Sequence, residues 1–152
     1  MGTTSPKPVI PAKDLLDIAD NRQVRSLVDV LRELQNIWDE KPSGGENCFV
    51  YSITTHSITT PTGWQSMCKV FVDPGKLKTP SGQLEVKIAT KNIAEATGVD
   101  IDAIQNSLGT FSPRFYVKYC VVQLSTPEEA KALVTKLKDW WSLRPQEVPS
   151  AP

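Results

Sequence analysis

The chain reads as an α+β domain: an antiparallel sheet of about four strands packed against an N-terminal helical segment and a C-terminal amphipathic helix, with a pair of short helices before the last strand. Three observations predict it. Near the C-terminus a helix-opening signal precedes an apolar stripe at helical spacing. In the middle, stretches of alternating apolar and polar residues are bounded by turn residues. Near the N-terminus a long segment again places apolar residues three and four apart.

The C-terminal helix is the most plainly marked element. In Thr126-Pro127-Glu128-Glu129 the threonine can cap free amides, proline suits the first helical position, and Glu129 can reach back to complete a capping box. Ala130, Leu133, Val134, Leu137, Trp140 and Trp141 then share one face, with Lys131, Thr135 and Lys138 opposite. Directly upstream, Phe115 to Leu124 is dense in aromatic and β-branched residues and predicts one buried strand. Strand, cap and helix form a unit whose tryptophans lie on a sheet.

Residues 1–11 form a proline-broken tail. Met1-Gly2 would suit N-myristoylation, but Pro6 stands where that signal needs Ser or Thr. A single domain spans 12–143, divided into a helical arm, 12–41, and a sheet core, 46–143. Ala12 to about Lys41 predicts helix in two pieces: Leu15, Leu16, Ile18 and Ala19 make a short apolar face, and Asp20-x-x-Gln23 suggests a capping box at the break. Val24, Leu27, Val28, Leu31, Leu34 and Trp38 follow as a stripe, widened by Val30 and Ile37. A stripe that wide can face both a core and a second chain. Val24, Leu27, Leu31, Leu34 and Trp38 are therefore the candidate self-association residues, and a homo-oligomer is the expected state. Lys41-Pro42-Ser43-Gly44-Gly45 stops the helix and predicts a flexible link, the one plausible hinge.

Beyond it, Phe49, Tyr51 and Ile53 alternate with Cys48, Val50, Ser52 and Thr54, a strand pattern. Ser-Ile-Thr-Thr occurs at 52–55 and 57–60, which suggests extended structure. After a turn at Pro61-Thr62-Gly63, Trp64, Cys68, Val70 and Val72 share one parity, and Gln65, Met67, Lys69 and Phe71 the other. Turns at Asp73-Pro74-Gly75 and Thr79-Pro80-Ser81-Gly82 lead to a clean strand with Leu84, Val86 and Ile88 inward and Gln83, Glu85 and Lys87 outward. Short links between these strands predict antiparallel pairing. Asn92 to Leu108 divides into two short helices around Gly98, and 144–152 is a proline-rich tail.

Composition narrows the function. Seventeen basic residues balance seventeen acidic ones, so no global field draws the chain to nucleic acid or anionic membrane. No apolar run approaches the ~18 residues of a membrane span, and the N-terminus lacks a signal-peptide core. Cys48, Cys68 and Cys120, odd in number and without C-x-x-C spacing, fit buried free thiols in a reducing compartment, cytoplasmic or nuclear. His56 is the single histidine and has no Cys/His cluster or nucleophile elbow around it. Ser43-Gly44-Gly45 is too short for a phosphate loop and precedes a strand. Asp100 and Asp102 lie two apart and suit a helix start. No catalytic, cofactor-binding or metal-ligating residue is assigned, and a non-enzyme is expected.

Three short stretches carry resemblances. Ile93 to Leu108, with Ala94, Gly98 and Ile104 at the small, turn and anchor positions, resembles the helix-turn-helix of lactose-repressor-type regulators; it departs by placing Asp100 and Asp102 where a recognition helix meets DNA. Tyr119 to Leu137 resembles the third strand and second helix of an RNA-recognition motif. Tyr119 matches an aromatic position, while Val121 and Leu124 stand where further aromatics are usual. The terminal Pro149-Ser150-Ala151-Pro152 resembles the late-domain peptide by which viral matrix and Gag proteins recruit the endosomal sorting machinery, which implies such a partner and a virion setting. Together these readings favour a non-enzymatic, self-associating structural or assembly protein of small viral matrix or coat type. The competing expectation is a nucleic-acid-binding protein using the 91–108 helices or the 115–124 strand.

Overall fold

The structure, a computed structural model, describes residues 11–43, 47–55, 63–72 and 82–142. It is α+β, with six antiparallel strands in the order β1-β2-β3-β4-β6-β5. These are β1 (Asp39–Ser43), β2 (Cys48–Thr55), β3 (Gly63–Phe71), β4 (Leu84–Ile88), β5 (Arg114–Phe115) and β6 (Cys120–Leu124). The helices are α1 (Ala12–Asn21), α2 (Arg25–Leu31), α3 (Thr90–Thr97), α4 (Ile101–Ser107) and α5 (Pro127–Ser142), with 3₁₀ turns at Arg32–Asn36 and Gly109–Phe111.

Two strands exceed the expected four. Asp39–Ser43, expected to end the helical arm and begin the hinge, instead form β1, which pairs with β2 from Asp39↔Ser52 to Ser43↔Cys48; Gly44 and Gly45 of the expected hinge lie outside the described residues. No apolar alternation announces it because it is an outer strand, where Pro42, lacking an N–H, is tolerated. Glu40 is held from two sides: Arg32 donates to it at 2.8 Å, and the Tyr51 hydroxyl donates to it at 2.8 Å. The second correction concerns 115–124. The chain reverses inside that stretch, so only Cys120–Leu124 is a buried strand, and Arg114–Phe115 folds back beside it.

One face of the sheet is apolar. Cross-strand pairing aligns Tyr51, Cys68, Ile88 and Cys120 in one row and Phe49, Val70, Val86 and Val122 in the next. All are buried. A β-bulge opposite Tyr51/Ser52 inserts Met67 as an extra residue of β3, so Met67 and Cys68 are both buried despite adjacent sequence positions.

Helices cover this face. Leu15 and Ala19 of α1, Leu27, Val28 and Leu31 of α2, and Ala130, Leu133, Val134, Leu137 and Trp140 of α5 join the same core. α5 packs chiefly along α2 as well as on the sheet. Its cap forms as the sequence implies: the Glu129 amide donates to Thr126 Oγ1 at 3.2 Å, while Glu129 Oε1 accepts from the amides of Thr126 (3.2 Å) and Ser125 (3.1 Å). The expected box at Asp20-x-x-Gln23 does not form. Gln23 takes a left-handed φ of 61°, and α2 follows Val24 without a side-chain cap. Arg25 bridges that break on the surface instead, 3.0 Å from both Asp20 and Asp29.

Thr126→Ala removes one half of the α5 cap and should cost about 1 kcal/mol in denaturant unfolding. Leu31→Asp would place an unpaired carboxylate in the core and should abolish the cooperative thermal transition, where an interface residue would only shift the oligomeric state.

Candidate functional site

The second face of the sheet is polar, because outward positions of β3 and β4 alternate with the apolar ones. Pairing puts Lys69 beside Lys87, Lys87 beside Val121, and Val121 beside Arg114. On the other side Val50 lies beside Lys69, and Lys41 beside Val50. Lys41, Lys69, Lys87 and Arg114 therefore share one cross-strand line although they are scattered in sequence. In the next row Glu85 lies nearly enclosed and accepts a 2.8 Å hydrogen bond from Arg114 Nη2. Burial raises its pKa above the ordinary carboxylate value, and the Arg114 charge works against that rise.

β5 and β6 are joined by a hairpin that frames one end of this face. Phe115 pairs with Cys120, the Tyr116 amide donates to the Tyr119 carbonyl at 2.8 Å, and Val117 and Lys118 form the tip. Two contacts fasten it to the helices: the Lys91 amide donates to the Lys118 carbonyl at 3.1 Å, and Gln105 Nε2 donates to the Tyr116 carbonyl at 3.3 Å. The Tyr116 and Tyr119 rings stack with centroids 4.6 Å apart and planes 17° from parallel. Lys87 Nζ stands 4.2 Å from the Tyr119 ring centroid, a cation–π contact.

Between hairpin, β3, β4 and the start of α3 lies a hollow of about 520 Å³, lined by Ser66, Lys69, Lys87, Ala89, Asn92, Val117, Lys118 and Tyr119. Asn92 Nδ2 donates to the Ser66 carbonyl at 2.8 Å, which fixes the amide at the rim. The hollow thus offers three ammonium groups, a hydroxyl, an amide and an aromatic ring. Groups of that kind recognise a flat ligand bearing negative charge.

The residues singled out from sequence fall elsewhere, Tyr119 excepted. Val24, Leu27, Leu31, Leu34 and Trp38 are all buried in the core of the single chain, so pairing two chains through them would require opening that core. Pro149, Ser150, Ala151 and Pro152, with His56, lie outside the described residues. In the helix-turn-helix-like stretch Gly98 ends α3 with φ 78° and Ile104 is buried, while Asp100 and Asp102 are exposed at the start of α4. In the strand that resembles an RNA-recognition motif, Tyr119 borders the hollow, Val121 is buried and Leu124 belongs to the core.

Comparison of the chain with protein-family models, curated proteins and solved structures found no match. Among the described residues no three His, Cys, Asp or Glu side chains gather into a metal site, and no helix is long and apolar enough to cross a membrane. Cys48, Cys68 and Cys120 are buried thiols outside any disulfide; burial pushes the Cys120 thiol up to about 11 and raises Cys68 as well, which keeps both protonated at neutral pH.

Sequence reading missed Lys69, Lys87 and the hairpin. The lysines carried one signal, their outward parity in strands whose other parity is apolar. The hairpin carried none, since no glycine, asparagine or proline marks the reversal at Val117-Lys118.

Because the folded-state pKa of Glu85 is raised, its protonated form suits the fold better, and the ionised form destabilises the native state at neutral pH. Glu85→Gln should therefore raise the melting temperature at neutral pH. That gain should vanish below the ordinary value of 4.5, where the wild-type carboxyl is protonated in both states.

Proposed function

We propose that this protein is a non-catalytic module that binds single-stranded nucleic acid in the hollow at the hairpin end of its second sheet face. The observation that carries the reading is the meeting of Tyr119 and Lys87 with Lys69, Lys118, Ser66 and Asn92 in one recess of about 520 Å³, the Tyr119 ring being backed by the stacked ring of Tyr116. Unpaired bases stack on aromatic rings irrespective of sequence, and neighbouring ammonium groups take the phosphates. A duplex hides its base faces, so a ring at the recess favours a single strand.

A zero formal charge is compatible with this because the cations are gathered locally. Glu85, the carboxylate on the adjacent row, is neutralised by Arg114. The reading also accounts for the likeness of the 119–137 segment to an RNA-binding strand and helix, with Tyr119 as the shared residue.

Three lysines at the phosphates predict a log–log salt dependence with a slope of about −2 for single strands. Fluorescence anisotropy of a labelled oligonucleotide across a salt series measures it. Tyr119→Ala should weaken binding about tenfold or more while Tyr119→Phe retains it, since a base takes the place of Lys87 Nζ over the ring and leaves that ammonium to a phosphate. Lys87→Glu should weaken binding and flatten the slope by more than one lysine's share. Absence of binding at the lowest salt would overturn the proposal.

A further inference from the structure

Among the described residues the exposed large apolar side chains are Phe115 (50%), Tyr116 (42%) and Val117 (87%), and they are consecutive. A single surface apolar residue needs no explanation, but three in a row at one hairpin do. Nor is this a loose loop. The Lys118 carbonyl is bonded to the Lys91 amide and the Tyr116 carbonyl to Gln105, so the tip is held out from the helices in a fixed pose. An apolar residue held rigidly in water costs free energy unless something covers it.

The charges around the tip are mixed, with cations in excess. Lys91 and Lys118 are exposed beside it, and Lys87, Lys69 and Arg114 lie behind it on the sheet. On the opposite side, Glu95 and Asp100 border a second hollow that Val117, Lys91 and Lys118 also line. Arg114 is paired with Glu85. The cations adjoining the tip thus face an anionic occupant. Three side chains are too little area for a stable protein–protein interface, which buries roughly 800 Å² per partner. They suit a bilayer, where a few apolar and aromatic side chains enter the headgroup boundary and nearby lysines meet lipid phosphates.

We propose that the β5–β6 tip docks this protein reversibly on an anionic lipid bilayer, with Val117 and Phe115 entering the interface, Tyr116 at headgroup level, and Lys118 and Lys91 on the phosphates. The docking depends on Val117 and Phe115; Val117 also borders the nucleic-acid hollow but Phe115 lies outside it, so Phe115 is the residue through which the two readings fail separately. Because Lys118 belongs to both sites, lipid and oligonucleotide compete where both bind.

The test is co-flotation of the full chain with phosphatidylcholine vesicles, with and without phosphatidylserine. The wild type should float with the anionic vesicles and remain in solution with the neutral ones. Val117→Asp should lower the partition coefficient about tenfold, the value of one buried aliphatic side chain. It should leave the melting temperature unchanged, since the site is exposed, while Phe115→Ser, outside the hollow, should also lower partition and should retain oligonucleotide binding. Lys118→Glu should lower partition as well. Failure of the wild type to float with anionic vesicles, equal flotation with neutral ones, or undiminished flotation of Val117→Asp would each overturn the proposal.

Discussion

An antiparallel sheet with one apolar face is stable in water only when that face is covered, and the helical layer meets this requirement. Stripes from α1, α2 and α5 converge on the rows headed by Phe49 and Tyr51. The breadth of the second stripe follows from its surroundings: α2 packs against α1 and α5 and its apolar residues belong to the same core cluster as the sheet's, so it needs more than the narrow face of a helix that meets one neighbour. Trp38 and Trp141 meet edge to face at 5.8 Å and 76°, joining the end of this helical run to the end of α5.

A polar weld complements that packing. Arg32 reaches Glu40 with two nitrogens, Tyr51 donates to the same carboxylate, and the guanidinium lies 5.2 Å from the Phe49 ring centroid. Burial, with Glu40 beside it, holds the Tyr51 hydroxyl above its ordinary pKa, so it stays a donor. Such a network adds little to net stability, since partial desolvation offsets the attraction, but removing one member leaves the others uncompensated. It ties the helical layer to the first two strands. At the end of α1, Arg22 ties the same layer to the residue after β3 by donating to the Val72 carbonyl at 2.8 Å.

Most features that depend on local chemistry were legible in the sequence, the Asp20–Gln23 box excepted. The Thr126–Glu129 box, the Gly98 break and the parity of Leu84, Val86 and Ile88 each follow from a few adjacent residues, and each appears in the structure. Features that depend on distant partners were not. β1 contains no apolar pattern of its own and exists because β2 offers a ladder and Arg32 holds Glu40. Met67 and Cys68 break alternation because a bulge, invisible to a period of two, separates them. The recess was hidden for a similar reason: Ser66, Lys87, Asn92 and Tyr119 are neighbours only through strand register. The stripe of Val24, Leu27, Leu31, Leu34 and Trp38 shows the converse, since apolar periodicity marks a face to be covered without saying by what.

The two outer strands bear on how such chains could accumulate. A sheet grows by adding a chain to the free amides and carbonyls of its last strand. Here one border strand carries Pro42, which breaks the run of donors, and the other is two residues long before it turns into the hairpin. Neither offers enough continuous backbone to seed stacking into fibrils. At these two borders molecules should therefore meet through side chains, and remain separable, instead of extending the sheet.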